Sequence, residues 1–156
     1  MGQLEVSNGN ETVLETFVGS CVALCLYDPY SRIGGMAHIM LPQGDNSKKL
    51  SDHPNSAKYA DQAVKNLLRM VMTKGAKMVR VRAKMAGGAN MFSHEQGASL
   101  FDIGERNVLT VKSLLKERGI PLLSEDTGMN YGRNVRLEIK SGNVIVTSRK
   151  SGQRSM

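Results

Sequence analysis

Cys21-Val22-Ala23-Leu24-Cys25-Leu26-Tyr27, a turn through Asp28-Pro29-Tyr30-Ser31-Arg32, and then Gly34-Gly35-Met36-Ala37-His38-Ile39-Met40 make up the stretch that decides the fold. The first piece is almost wholly apolar instead of alternating, which is the pattern of a central strand covered on both faces. A proline-containing turn then sends the chain back along a second extended piece, so the two form a hairpin. With the residues just upstream, 12 to 40 read as three extended pieces. Two of them bring a thiol and an imidazole into the same hairpin.

Downstream, Pro42 to Pro54 is polar, with Gly44, Asp45, Asn46 and Ser47, and reads as an exposed loop bordering a site. Ser56 is placed to cap a helix whose Ala60, Ala63, Val64, Leu67, Leu68, Val71 and Met72 fall at helical spacing before Gly75. Val79 to Met85 alternates apolar with Arg80, Arg82 and Lys84, as a half-exposed strand does. A second amphipathic helix is expected over 104–118, with Val108, Val111, Leu114 and Leu115 inward and Gly119 as its stop. Ile120 to Ser124 reads as a short strand and 126–133 as a loop. Val135 to Ile139 and Val144 to Thr147 form a hairpin around Ser141-Gly142-Asn143.

Hairpins at both ends with two main helices between them predict an α/β fold: a single-domain sandwich containing a mixed, mostly antiparallel sheet, not a doubly wound nucleotide-binding fold. The folded domain is expected to span 1–148. The polar, basic stretch 149–156, with Arg149, Lys150 and Arg154, is expected to be a disordered tail.

A length of 156 residues, 40% of them apolar, suits one hydrophobic core. No run of about 18 apolar residues occurs, so no membrane insertion is expected, and the N-terminus lacks the order of a secretory signal. The net charge of +7 points to an acidic partner, while an aromatic content of 4% leaves few stacking platforms, so nucleic acid is not the expected one. Cys21 and Cys25, roughly 13 Å apart along one strand, are too distant for a disulfide. Free thiols agree with a cytoplasmic protein. With His38, His53 and His94 scattered, no metal site is expected. No P-loop or Gly-x-Gly-x-x-Gly is present, so no cofactor is expected either.

Gly19-Ser20-Cys21 sets a small-residue turn directly before a thiol at a strand start. Cys21 reads as a nucleophile or as a buried small hydrophobe, and the second reading is preferred for Cys25. His38 interrupts an apolar strand, either as a hydrogen-bonded core residue or as the base for Cys21. Hairpin pairing would bring the two together, and a neighbouring imidazolium lowers a thiol pKa. Gly87-Gly88-Ala89-Asn90-Met91-Phe92 reads as a loop approaching the site. Ser20, Asn90 and Phe92 are the candidates for substrate contact or oxyanion stabilisation, with Phe101 as an alternative apolar contact. Arg106, Asn107, Asn130 and Arg133 fit loop-fixing hydrogen bonds as readily as substrate contacts.

These residues fall in ordered blocks: Gly19-Ser20-Cys21-Val22-Ala23, Gly35 to Pro42, Lys58-Tyr59-Ala60-Asp61, Ala83 to Phe92, Ile103-Gly104-Glu105-Arg106-Asn107, and Glu125-Asp126-Thr127-Gly128 with Gly132-Arg133. In them the chain resembles the CheD family, the chemoreceptor glutamine deamidases. The resemblance implies a catalytic cysteine, histidine and upstream threonine, matched by Cys21, His38 and, after a one-residue shift away from Glu15, Thr16. It implies a thioester mechanism on glutamines of methyl-accepting chemoreceptors, with methylesterase activity in some members. It also implies regulation by the phosphatase CheC. A monomer is expected. Two other readings stand beside it: a non-catalytic chemotaxis adaptor, and a small nucleic-acid-binding module.

Overall fold

The computed structural model describes residues 2–44, 56–91 and 103–156. Three layers are stacked. A five-stranded sheet in the middle has the order β1-β4-β3-β5-β6, built from β1 (Leu4–Ser7), β4 (Ile33–Ile39), β3 (Val22–Asp28), β5 (Arg82–Gly87) and β6 (Leu122–Thr127). A four-stranded sheet on one side has the order β2-β7-β8-β9, built from β2 (Val13–Val18), β7 (Arg133–Glu138), β8 (Val144–Ser148) and β9 (Gly152–Ser155). On the other side lie α1 (Ala60–Thr73) and α2 (Ile103–Glu117). The α/β sandwich, with its mixed and mostly antiparallel strands and its two helices, is the one the sequence predicts. Its division into two sheets is the added feature.

β3 explains the layering. Val22, Leu24 and Leu26 belong to the core shared with both helices, while Ala23 and Cys25 belong to the core between the sheets. A strand with both faces covered has no polar side, hence the unbroken apolar run. β3 pairs antiparallel with both β4 and β5, and β5 pairs parallel with β6. That parallel step needs a crossover, which α2 provides. In β4, Gly35 lets the helix layer close, because a Cβ there would stand 2.7 Å from both Leu67 Cδ1 and Val6 Cγ2.

Three sequence expectations are corrected. Ser56 does not cap α1: the helix starts at Ala60, whose amide donates to the Leu41 carbonyl at 2.9 Å, so no hydroxyl is needed. Val79 and Arg80 are not strand residues. Met78–Arg80 is a 3-10 turn with Val79 80% exposed, drawn in by buried Asp28, which accepts from the Lys77 amide at 3.0 Å and from Arg80 Nε and Nη2. Residues 149–156 are not a disordered tail. After a turn, β9 pairs antiparallel with β8, and the Met156 and Val144 backbones exchange hydrogen bonds at 2.8 and 3.2 Å. An exposed edge strand has the same polar composition as a disordered end, and composition alone does not separate them.

Candidate active site

The β3–β4 register sets Ala23 opposite His38 and Val22 opposite Ile39. His38 therefore faces the second sheet with Ala23 and Cys25. Cys21 stands one residue before β3 and packs at the edge of the same inter-sheet core. Continuing the register makes Cys21 the diagonal neighbour of His38, a relation that places Cα atoms about 7–8 Å apart on one sheet face.

From the opposite layer, Thr16 shares the inward face of β2 with Leu14 and Val18, and its Oγ1 lies 2.8 Å from His38 Nδ1. Glu15 points outward, where it accepts from Asn134 Nδ2 and lies 3.6 Å from Arg136. The pleat thus selects Thr16 over Glu15 for the imidazole. His38 is 7% exposed, and its Nε2 is buried without a hydrogen-bond partner among the described residues. Burial lowers the His38 pKa below its ordinary 6.5 and raises that of Cys21 above 9.0. Burial therefore favours the neutral form of both groups and works against the imidazolium-sustained thiolate expected from sequence. Cys21 is partly exposed, whereas Cys25 is buried and its thiol is pushed up to about 12 by desolvation. Cys25 is a core residue.

Backbone contacts hold the turn before Cys21. The Gly88 amide donates to the Cys21 carbonyl and the Ala89 amide to the Gly19 carbonyl, both at 2.8 Å. Gly87, at φ +116°, permits this approach, since a Cβ there would sit 2.2 Å from the Cys21 oxygen. Fully buried Asn107, on α2, donates through Nδ2 to the Ser20 carbonyl at 3.1 Å and the Met40 carbonyl at 3.0 Å. One side chain thus ties the turn before Cys21 to the end of the His38 strand. Sequence reasoning left Asn107 between two roles because its acceptors lie 87 and 67 positions away in the chain. Arg133 is a loop-fixing residue too, buried and donating to Asp126, Tyr131 and Gly128.

Of the remaining candidates, Ser20 contributes the carbonyl held by Asn107. The Asn90 backbone amide donates to the Met129 carbonyl at 2.8 Å. Phe92 and Phe101 lie outside the described residues, as do His53, His94 and most of the Pro42–Pro54 segment. Among the described residues no three His, Cys, Asp or Glu side chains gather closely enough to hold a metal ion. A thiol, an imidazole and a hydroxyl in this arrangement are equipped for nucleophilic attack with base assistance.

The family model for CheD chemotactic sensory transduction matches residues 40–148, a span that begins just past His38. The chain is 46% identical over 130 residues to the probable chemoreceptor glutamine deamidase CheD of Moorella thermoacetica, covering 83% of this chain and 76% of that one. It is 43% identical over 129 residues to the corresponding protein of Caldanaerobacter subterraneus, covering 83% and 78%. With the chemoreceptor glutamine deamidase CheD of Thermotoga maritima the identity is 42% over 153 residues, 98% of this chain and 92% of that one, an alignment that takes in the Thr16 to His38 region as well. The chain belongs to the CheD family.

Proposed function

We propose that this chain is a cytoplasmic chemoreceptor glutamine deamidase in which Cys21 is the nucleophile, His38 the base and Thr16 the residue that orients the imidazole. The observation that carries this reading is the Thr16–His38 hydrogen bond across the two sheets, with Nε2 left without a partner near the strand end that bears Cys21. The names of the relatives supply the substrate class.

The base role requires the tautomer in which Nδ1–H donates to Thr16 Oγ1, leaving the lone pair on Nε2. It takes the Cys21 proton as sulfur attacks the carboxamide carbon of a receptor glutamine, forming a C–S bond and a tetrahedral oxyanion. Collapse breaks the C–N bond, and the imidazolium returns the proton to the departing nitrogen as ammonia. Water then attacks the thioester carbonyl while His38 accepts its proton. The C–S bond breaks, glutamate is released, and the thiol is restored. The net change is amide plus water to acid plus ammonia.

Supporting a reducing compartment are the two free cysteines. A CheC-type phosphatase would compete with the receptor for the site mouth. The decisive experiment incubates the protein with receptor cytoplasmic domains and reads Gln-to-Glu conversion by peptide mass. Wild type converts and Cys21→Ala does not; conversion retained in Cys21→Ala would overturn the nucleophile assignment, whereas no conversion by wild type, with signalling left unchanged by Cys21→Ala, would favour the adaptor reading.

A further inference from the structure

At the end of the sandwich that carries Cys21, three apolar side chains are exposed where solvent-facing loops are ordinarily polar. Met129 is 67% exposed, Phe17 66% and Met91 46%. They come from three segments that meet at this end of the sandwich. Met91 lies over Gly19, two residues before Cys21, its Cγ and Sδ each 3.5 Å from where a Gly19 Cβ would be. The Met129 carbonyl receives the Asn90 amide, which joins its turn to the Met91 segment. Phe17, on the outward face of β2 opposite to Thr16, covers Gly132 at the far end of the Met129 turn.

The Met129 turn is also held in a form its sequence does not favour. Met129 has φ +60°, a left-handed conformation that costs a non-glycine residue about 1 kcal/mol or more. Buried Arg133 supports it, donating to the Gly128 carbonyl at 3.0 Å and the Tyr131 carbonyl at 3.2 Å while its guanidinium stacks on the Tyr131 ring. Lys150 reaches the same turn, donating to Asn130 at 3.2 Å and lying 5.9 Å from the Tyr131 ring centre. An exposed thioether kept at a strained position, at the same end of the sandwich as Cys21 and flanked by a cation, is a surface shaped for a partner.

We propose that Met129, Phe17 and Met91 form the substrate-gripping rim of the site, taking the apolar side chains around the target glutamine, with Lys150 meeting a carboxylate on the same acidic, amphipathic segment. This rests on the deamidase reading and names the residues that give it selectivity. Thioethers adapt to differing apolar shapes, so one rim serves several target sites.

The test uses the Met129→Ser/Phe17→Ser double variant, alone and on the Cys21→Ala background, against a receptor cytoplasmic domain. Expected is a drop of at least tenfold in kcat/KM, carried by KM, with a matching rise in Kd on the Cys21→Ala background. Iodoacetamide labelling of Cys21 should stay within twofold of wild type. Kd and kcat/KM within twofold of the parent would overturn the rim, as would a parallel fall in labelling, which would show that the site itself was disturbed. If wild type deamidates nothing yet the double variant still weakens binding, the catalytic reading falls and the rim stands.

Discussion

Thr16 is the residue whose removal isolates geometry from chemistry. Thr16→Val keeps shape and deletes the partner of His38 Nδ1, and a misplacement of reacting groups by about 1 Å costs about 100-fold in rate. We expect kcat to fall by about that factor, Thr16→Ser to recover most of it, and Glu15→Gln, on the outward face, to leave kcat unchanged; steady-state deamidation assays check all three. The pH profile follows from the two burial effects. Attack needs Nε2 unprotonated, and the His38 pKa is lowered, so the acid limb of kcat/KM should have its midpoint below 6.5. The Cys21 pKa is raised, so iodoacetamide labelling should keep climbing with pH past 9.0. A labelling plateau reached below neutrality would instead reveal a thiolate–imidazolium pair. The sequence made Cys21 and His38 visible because each is chemically out of place in an apolar strand. Thr16 came only from the family resemblance, by a one-residue shift from Glu15, and strand parity places it on the inward face.

Among the elements, the turn before Cys21 depends on β5 ending in glycine. Gly87→Ala would drive a Cβ toward the Cys21 carbonyl at a φ of +116°, destabilising the fold by more than about 1 kcal/mol and lowering kcat at least tenfold through displacement of Cys21. Denaturant titration and turnover, measured on the same preparation, check this. The β3–β4 hairpin was legible because burial on both faces writes an unbroken apolar run into the chain. The starts of α1 and β5 were not. Each is fixed by a group remote in sequence: the Leu41 carbonyl receives the first α1 amide, and Asp28 pulls Arg80 out of the strand from 52 positions away.

At the scale of the whole molecule, the chain end closes the sandwich. Lys84 Nζ, from the central sheet, donates to the Met156 carbonyl at 2.6 Å and the Gly142 carbonyl at 3.0 Å, bridging both layers. Removing 152–156 should lower stability by about 2 kcal/mol, read as an earlier denaturant midpoint; an unchanged midpoint would restore the picture of an idle tail. Asp28 sets the acid limit. Burial alone would raise its pKa, but Arg80 and the Lys77 and Tyr30 amides hold it well below the ordinary 3.8. A depressed folded pKa gives stability that is complete above the unfolded pKa and is lost as pH falls from there through the folded one. Asp28→Asn should therefore flatten the decline of the thermal midpoint below pH 3.8 while lowering that midpoint at neutrality. The layering itself was only half legible: alternation reports that a strand is covered, not by which sheet. The Thr16 hydroxyl and the His38 ring it bonds belong to different layers, so under the proposed mechanism turnover is a gauge of their alignment. A slip of about 1 Å between the layers, too slight for circular dichroism to register, would silence a protein that otherwise looks intact.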